Sequence, residues 1–299
     1  MYQAVMDIGT NTSRLIVVRT EEGRDETVTR DILTTRIGQG LGGGHLKITE
    51  EAARRTLEGL KGFRDKMAAY PVERVWLIGT QALREASNRE DFRALVRREL
   101  GWELLVISGK AEAYLSYTGA ASVLVKPGES ALVLDIGGGS TELMASAGQN
   151  ISGASAPIGG LRLLEQPLSQ PQILSCLQAG WQGLEVPEEG PLIGVGGTAT
   201  TLGAIALKMK RYDADALAGT RISRRQAAET IKLLEAMTPA ERLALPGMMP
   251  GREDILPWGL RILLEAMTYC RREELLICDR DLMYGILRLS GPEDLTRIS

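Results

Sequence analysis

Two short stretches carry the residue types that grip phosphate. Asp7-Ile-Gly-Thr-Asn-Thr-Ser-Arg-Leu and Asp135-Ile-Gly-Gly-Gly-Ser-Thr-Glu-Leu lie 128 residues apart. Each reads as an apolar strand, Asp-Ile-Gly, a small polar turn, and a leucine on a second strand. A glycine directly after a buried strand lets backbone N–H groups approach a phosphate closely. The candidate phosphate ligands are Thr10, Asn11, Thr12 and Arg14 in the first copy, and Gly137, Gly138, Gly139, Ser140 and Thr141 in the second. A strand-end carboxylate cannot face a bare phosphate. Asp135 and Asp7 are therefore candidate ligands of a hard divalent cation, usually Mg²⁺, with Mn²⁺ as the alternative. One such turn alone would be ordinary turn chemistry. Two copies at a domain-scale offset favour the phosphate reading.

Gly194-Val-Gly-Gly-Thr-Ala follows a strand and opens a helix. It matches a dinucleotide fingerprint and equally suits an anion-binding loop at a helix N-terminus, with Gly196, Gly197 and Thr198 as ligands, or a plain tight turn. Gly38-Gln-Gly-Leu-Gly-Gly has a similar spacing, but a polar strand precedes it, and it is discounted. Read alone, Glu112 is an acid favoured by a helix dipole and Arg84 a solvated helix face. Arg14 reads equally well as the start of a strand, and Arg36 and Lys110 as surface charges. His45 is the only histidine and reads as exposed beside a glycine loop. A single histidine disfavours a His-based triad or a multi-histidine metal site, and a catalytic base is expected to be a carboxylate.

These residues need elements to hold them. With 299 residues, 44% hydrophobic and 24% charged, the chain has the balance of about two globular domains. Strands are predicted over Ala4–Ile8, Arg14–Arg19, Val28–Ile37, Arg74–Ile78, Glu103–Ile107, Ala131–Leu134, Leu192–Val195 and Leu275–Cys278. Helices are predicted from the Thr49 cap to about Tyr70, from the Asn88 cap, from Ser108, over Ala199–Met209, and over Asp281–Leu289. Ser223-Arg-Arg-Gln and Thr238-Pro-Ala-Glu read as capping boxes.

No apolar run approaches the roughly 18 residues of a membrane span, and the start has no signal-peptide pattern. The sparse Cys176, Cys270 and Cys278 suggest reduced thiols in the cytoplasm. A net charge of -3 and four scattered tryptophans argue against a nucleic-acid partner.

Taken in order, the motifs resemble the exopolyphosphatase / guanosine pentaphosphate phosphohydrolase family, of the actin, Hsp70 and sugar kinase superfamily. The two Asp-Ile-Gly motifs are similar to its phosphate motifs. Thr80-Gln-Ala-Leu-Arg-Glu-Ala-Ser-Asn resembles the segment whose arginine, here Arg84, meets substrate. Ile107-Ser-Gly-Lys-Ala-Glu-Ala resembles the segment of the catalytic glutamate, here Glu112. Gly194-Val-Gly-Gly-Thr-Ala-Thr-Thr-Leu and Pro246-Gly-Met through Arg252-Glu-Asp-Ile complete the order. The chain departs from the family at Ala111, where a second glutamate is common, and at Glu253, where alanine is usual. It resembles the short, two-domain members of the family rather than those with a further helical region.

The resemblance implies an α/β fold of two actin-like (ribonuclease H-like) domains flanking a central cleft. The expected domains are 1–120 and 121–280, with a C-terminal helix over about 281–299 as a candidate to pack back on the first. It implies a Mg²⁺-dependent hydrolase releasing terminal phosphate from polyphosphate or guanosine pentaphosphate, and a cytoplasmic homodimer with no membrane partner. An ATP-dependent kinase of the same superfamily, a non-catalytic alarmone sensor and an NAD enzyme are the rival readings.

Overall fold

The computed structural model describes residues 1–41, 46–126, 128–147 and 150–298; Gly42–His45, and with them the reading of His45, lie outside the described residues. The chain forms two compact units. One is Met1–Ser108 together with Ile286–Arg297, and the other is Gly109–Gly285.

The first unit opens with β1 (Tyr2–Ile8), β2 (Ser13–Glu21) and β3 (Arg24–Leu33), an antiparallel meander. Helix α1 (Glu50–Met67), β4 (Arg74–Gly79), α2 (Gln81–Glu85), α3 (Arg89–Leu100) and β5 (Leu104–Val106) follow. β4 and β5 add parallel to β1, for a sheet order β3-β2-β1-β4-β5. β1 is central, and Ala4, Val5, Met6 and Ile8 are wholly buried, as a strand covered on both faces requires. Leu15, Phe63, Leu77 and Leu83 close the core around it. Burying each such side chain contributes about 1.5–3 kcal/mol.

The second unit runs α4 (Gly109–Leu124), β6 (Ala131–Ile136), β7 (Thr141–Ala147), β8 (Asn150–Ala156), α5 (Gly160–Glu165), α6 (Gln170–Gly180), β9 (Leu192–Val195) and α7 (Gly196–Ala206). It continues with α8 (Ala214–Leu217), β10 (Arg221–Ser223), α9 (Arg224–Glu235), α10 (Pro239–Leu243), α11 (Leu256–Tyr269), β11 (Glu274–Ile277) and α12 (Leu282–Ile286); α13 (Glu293–Ile298) ends the chain. Its sheet order is β10-β11-β9-β6-β7-β8. Read from β8 to β11, it repeats the first sheet: an antiparallel meander, then two strands parallel to the first of the three. Each unit thus has the actin-like α/β build. Trp181, fully buried at the centre of the second core, donates its indole N–H to Thr141 O at 3.2 Å and anchors the start of β7.

The 128-residue repeat extends to the register. Asp7 pairs with Arg14 and Ile8 with Ser13, while Asp135 pairs with Glu142 and Ile136 with Thr141.

Several expectations are corrected. The third strand is Arg24–Leu33, not 28–37. Glu22 and Gly23 both adopt positive φ and close a tight hairpin, which starts the strand early. After Leu33 the backbone leaves the sheet and passes over the first turn. Asn88 makes no side-chain cap bond; its amide instead binds both the N–H and the C=O of Ile48, each at 2.9 Å. Helix α7 begins at Gly196, three residues early, and the predicted Asp281–Leu289 helix is only Leu282–Ile286.

The domain boundary falls at Ser108/Gly109 rather than at 120, because α4 packs on β6, β7, β8 and β9. Ala113, Tyr117 and Ala120 form one cluster with Val133, Met144 and Ile193. The end of the chain divides likewise. Gly119 and Gly285 let α4 approach the start of α12, where a Cβ on either would lie 2.1 Å from a backbone oxygen, and Ile286–Arg297 group with the first unit. Among the described residues no helix is long and apolar enough to cross a membrane.

Candidate active site

In the first unit the β1–β2 turn closes with Gly9 N–H donating to Thr12 O at 3.0 Å. Thr10, Asn11 and Thr12 are buried there. Cross-strand partners in an antiparallel pair share a face, and Asp7 and Arg14 use this. Arg14 donates from Nη2 and Nε to the same Asp7 Oδ2, at 2.6 and 3.1 Å. Asp7, expected to bind metal, thus holds a guanidinium. The pair is self-neutralised and leaves the turn free of net negative charge. Arg84 lies on α2, which starts at the carboxyl end of β4 with Thr80 N–H bonded to Ile8 O. Its guanidinium is fixed by bonds to Ile107 O at 3.0 Å and to Gln81 Oε1 at 2.6 and 3.1 Å.

The second hairpin has the same turn, with Gly137 N–H donating to Ser140 O at 3.0 Å. Its charges differ. The residue opposite Asp135 is Glu142, an acid where the first unit has Arg14. Both are buried. Glu142 accepts from Ser155 Oγ at 2.6 Å, and Asp135 Oδ2 from Ser116 Oγ at 3.3 Å. Two buried carboxylates on one face of a hairpin repel unless a cation joins them.

Glu112 stands in the first turn of α4, buried, one helical turn before Ser116. Residues four apart share a helix face, so Glu112 faces the side on which Ser116 meets Asp135. The tertiary structure thereby groups Glu112 with Asp135 and the second turn.

The Gly194 loop joins this group. Gly196 has φ +70°, and a Cβ on it would lie 2.2 Å from Asp135 Oδ1. A Cβ on Gly197 would lie 1.8 Å from Arg252 Cζ. Gly196 and Gly197 are glycines because a carboxylate and a buried guanidinium crowd the N-terminus of α7. The hydroxyls of two expected ligands are bonded to the framework. Thr141 Oγ1 donates to Ile158 O at 2.6 Å and Thr198 Oγ1 to Ile136 O at 2.9 Å.

The donor set around Asp135 and Glu142 is all oxygen, which suits a hard cation. Among the described residues no group of three or more His, Cys, Asp or Glu is placed to hold a metal by itself.

Glu142, Ser116 and Arg252 were missed as site residues. Glu142 was visible only as the counterpart of Arg14 in the repeat. Arg252 lay within the Pro246–Ile255 segment of the resemblance, but nothing there pairs it with Gly197, 55 residues away.

A model of the Ppx/GppA phosphatase family matches residues 16–290. The chain is 32% identical over 314 aligned positions to exopolyphosphatase 2 of Mycobacterium tuberculosis, across 96% of this chain and 98% of that one. The crystal structure of an exopolyphosphatase from Cytophaga hutchinsonii superposes with a TM-score of 0.85 at 26% identity, over 100% of this chain and 99% of the other. That of the Ppx/GppA family member from Aquifex aeolicus gives 0.77 at 26% identity, over 96% of each.

Proposed function

This chain belongs to the Ppx/GppA phosphatase family and is an exopolyphosphatase-like hydrolase, and from that premise we propose that it releases the terminal phosphate of inorganic polyphosphate or guanosine pentaphosphate. The observation that carries the mechanism is the place of Glu112, a buried carboxylate on the α4 face that also reaches Asp135 through Ser116.

In this reading the N–H groups of Gly138, Gly139 and Ser140 bind oxygens of the terminal phosphoryl group, and Thr10–Thr12 form the corresponding turn of the first unit. Glu112 accepts a hydrogen bond from water, orients it and takes its proton as the water oxygen bonds to phosphorus. The anhydride P–O bond breaks on the opposite side, and its electron pair leaves with the shortened chain. Phosphoryl transfer depends chiefly on positioning and on neutralised charge. Arg84 supplies positive charge in the first unit and Arg252 in the second, while Arg14, paired with Asp7, keeps the first turn neutral. Asp135 with Glu142 would hold Mg²⁺ or Mn²⁺, which when bound offsets the charge of the phosphate oxygens. In this reading Asp7 orients Arg14.

The test is phosphate release from long polyphosphate, tripolyphosphate and guanosine pentaphosphate, measured side by side with Mg²⁺. Release from at least one is expected, and the ratio assigns the preference. A folded protein that releases phosphate from none of them refutes the proposal.

A further inference from the structure

Each phosphate turn is tied from behind by the segment that follows the third strand of its meander. After β8, Gly160 N–H donates to Gly137 O at 2.9 Å, and Leu161 and Arg162 N–H to Gly138 O at 2.9 and 3.0 Å. Arg162 Nε donates to Gly139 O at 3.1 Å. After β3, Gly38 N–H donates to Thr10 O at 3.1 Å and Arg36 N–H to Asn11 O at 2.8 Å. Thr10 and Asn11 are the 128-residue counterparts of Gly138 and Gly139, so equivalent carbonyls are tied in both units.

The two straps share a short sequence, Ile37-Gly38 and Ile158-Gly159, with both isoleucines in the core. Close approach explains both glycines. Gly159 has an extended backbone, φ -156°, open to any residue. Yet a Cβ there would lie 2.4 Å from the Gly138 carbonyl carbon and 2.5 Å from its oxygen. On Gly38 it would lie 2.3 Å from Thr10 Cγ2.

A trans peptide points its C=O and the next N–H in opposite directions. Tying the carbonyls of Gly137, Gly138 and Gly139 to the strap therefore turns the N–H groups of Gly138, Gly139 and Ser140 away from it. Among the described residues those three N–H groups have no protein acceptor. A run of three glycines has no stiffness of its own, so the strap must supply it.

We infer that Arg162 and Gly159 are positioning residues, which preset the second turn for the phosphoryl group by holding its carbonyls back. The inference rests on the proposed function. Arg36 and Gly38 do the same for the first turn. There Arg36 is held at φ +45°, a conformation unfavourable for a residue with a Cβ, where its N–H meets Asn11 O.

The experiment compares the full-length parent with Arg162→Met and Gly159→Ala, using inorganic tripolyphosphate as the probe. Arg162→Met keeps the apolar stem and removes the Nε donor. Its Kd for tripolyphosphate and its KM are expected to rise about 10-fold, the loss of one good hydrogen bond in a charged site. Its kcat should stay within about 3-fold and its melting temperature close to the parent's. Amide exchange at Gly138–Ser140, slowed by tripolyphosphate in the parent, should need about 10-fold more tripolyphosphate to be slowed as far in the variant. Gly159→Ala should weaken binding at least as much, because its new methyl would overlap the Gly138 carbonyl and push that peptide out of place. Parent-like KM, Kd and exchange in both folded variants would overturn the positioning role. If the parent itself neither binds tripolyphosphate nor releases phosphate from any substrate, the proposed function fails and this inference with it.

Discussion

Replacing Glu112 by glutamine separates chemistry from structure. The change keeps the size and planarity of the side chain and removes its charge and basicity. Structurally the cost is small. Glu112 is the acid in the first turn of α4, where the helix dipole favours a negative charge by about 0.3–1 kcal/mol. Removing a third buried acid from the side that already carries Asp135 and Glu142 works in the opposite direction. The net change in stability is therefore expected to stay within about 1 kcal/mol, against roughly 5–15 kcal/mol for a folded protein. Catalytically the cost is large. Losing the base that activates water should slow turnover by about 10²- to 10⁴-fold. KM should hold or fall, because a negative charge near a polyanion is gone. The assay is phosphate release at saturating substrate and Mg²⁺, with a thermal melt of the same preparations. Glu112→Asp adds a geometric control: it keeps the basicity but withdraws the carboxylate by about one bond, and a misplacement of about 1 Å can cost on the order of 10²-fold. Turnover of Glu112→Gln within a few-fold of the parent would falsify the catalytic role and return Glu112 to a helix-start residue.

Exhaustive chelation with EDTA should abolish activity and added Mg²⁺ or Mn²⁺ restore it; full activity without any divalent ion would refute the pairing of Asp135 with Glu142 at a cation. Burial pushes the Cys270 and Cys278 thiols up to about 12, so a disulfide reagent at pH 8 should modify only the half-buried Cys176 before denaturation and all three afterwards; three fast equivalents in the native protein would contradict the packing. Burial also raises the Glu265 carboxyl above its ordinary value, against the opposing pull of Arg224. The folded state then holds that proton more tightly than the unfolded one, so its stabilising contribution is complete below the ordinary carboxylate range and is lost as pH rises through the raised value. Glu265→Gln should therefore melt higher than the parent at pH 7 and level with it near pH 4; equal melting temperatures across that range would count against the burial.

The features legible in the sequence are those set by near neighbours. A strand, an Asp-Ile-Gly turn and a return strand specify a hairpin within about 15 residues, so both Asp-Ile-Gly turns were visible and their repeat implied two like units. The capping boxes at Ser223/Gln226 and Thr238/Glu241 form as read, because the bonds that make them span three residues. What the side chains do depends on register and packing, which no local pattern contains. Pairing across the first hairpin set Arg14 against Asp7 and made a neutral turn. The same pairing in the second set Glu142 against Asp135 and made an acidic one. Packing of α4 on β6–β9 moved Glu112 out of the expected first domain and onto the second. Only the return of the chain past α10 laid Arg252 over Gly197, and only the path after β3 and β8 brought Gly38 and Gly159 against the turns. Each of these contacts joins residues that lie beyond one element's reach, so their positions follow from how the layers close rather than from the residues on either side.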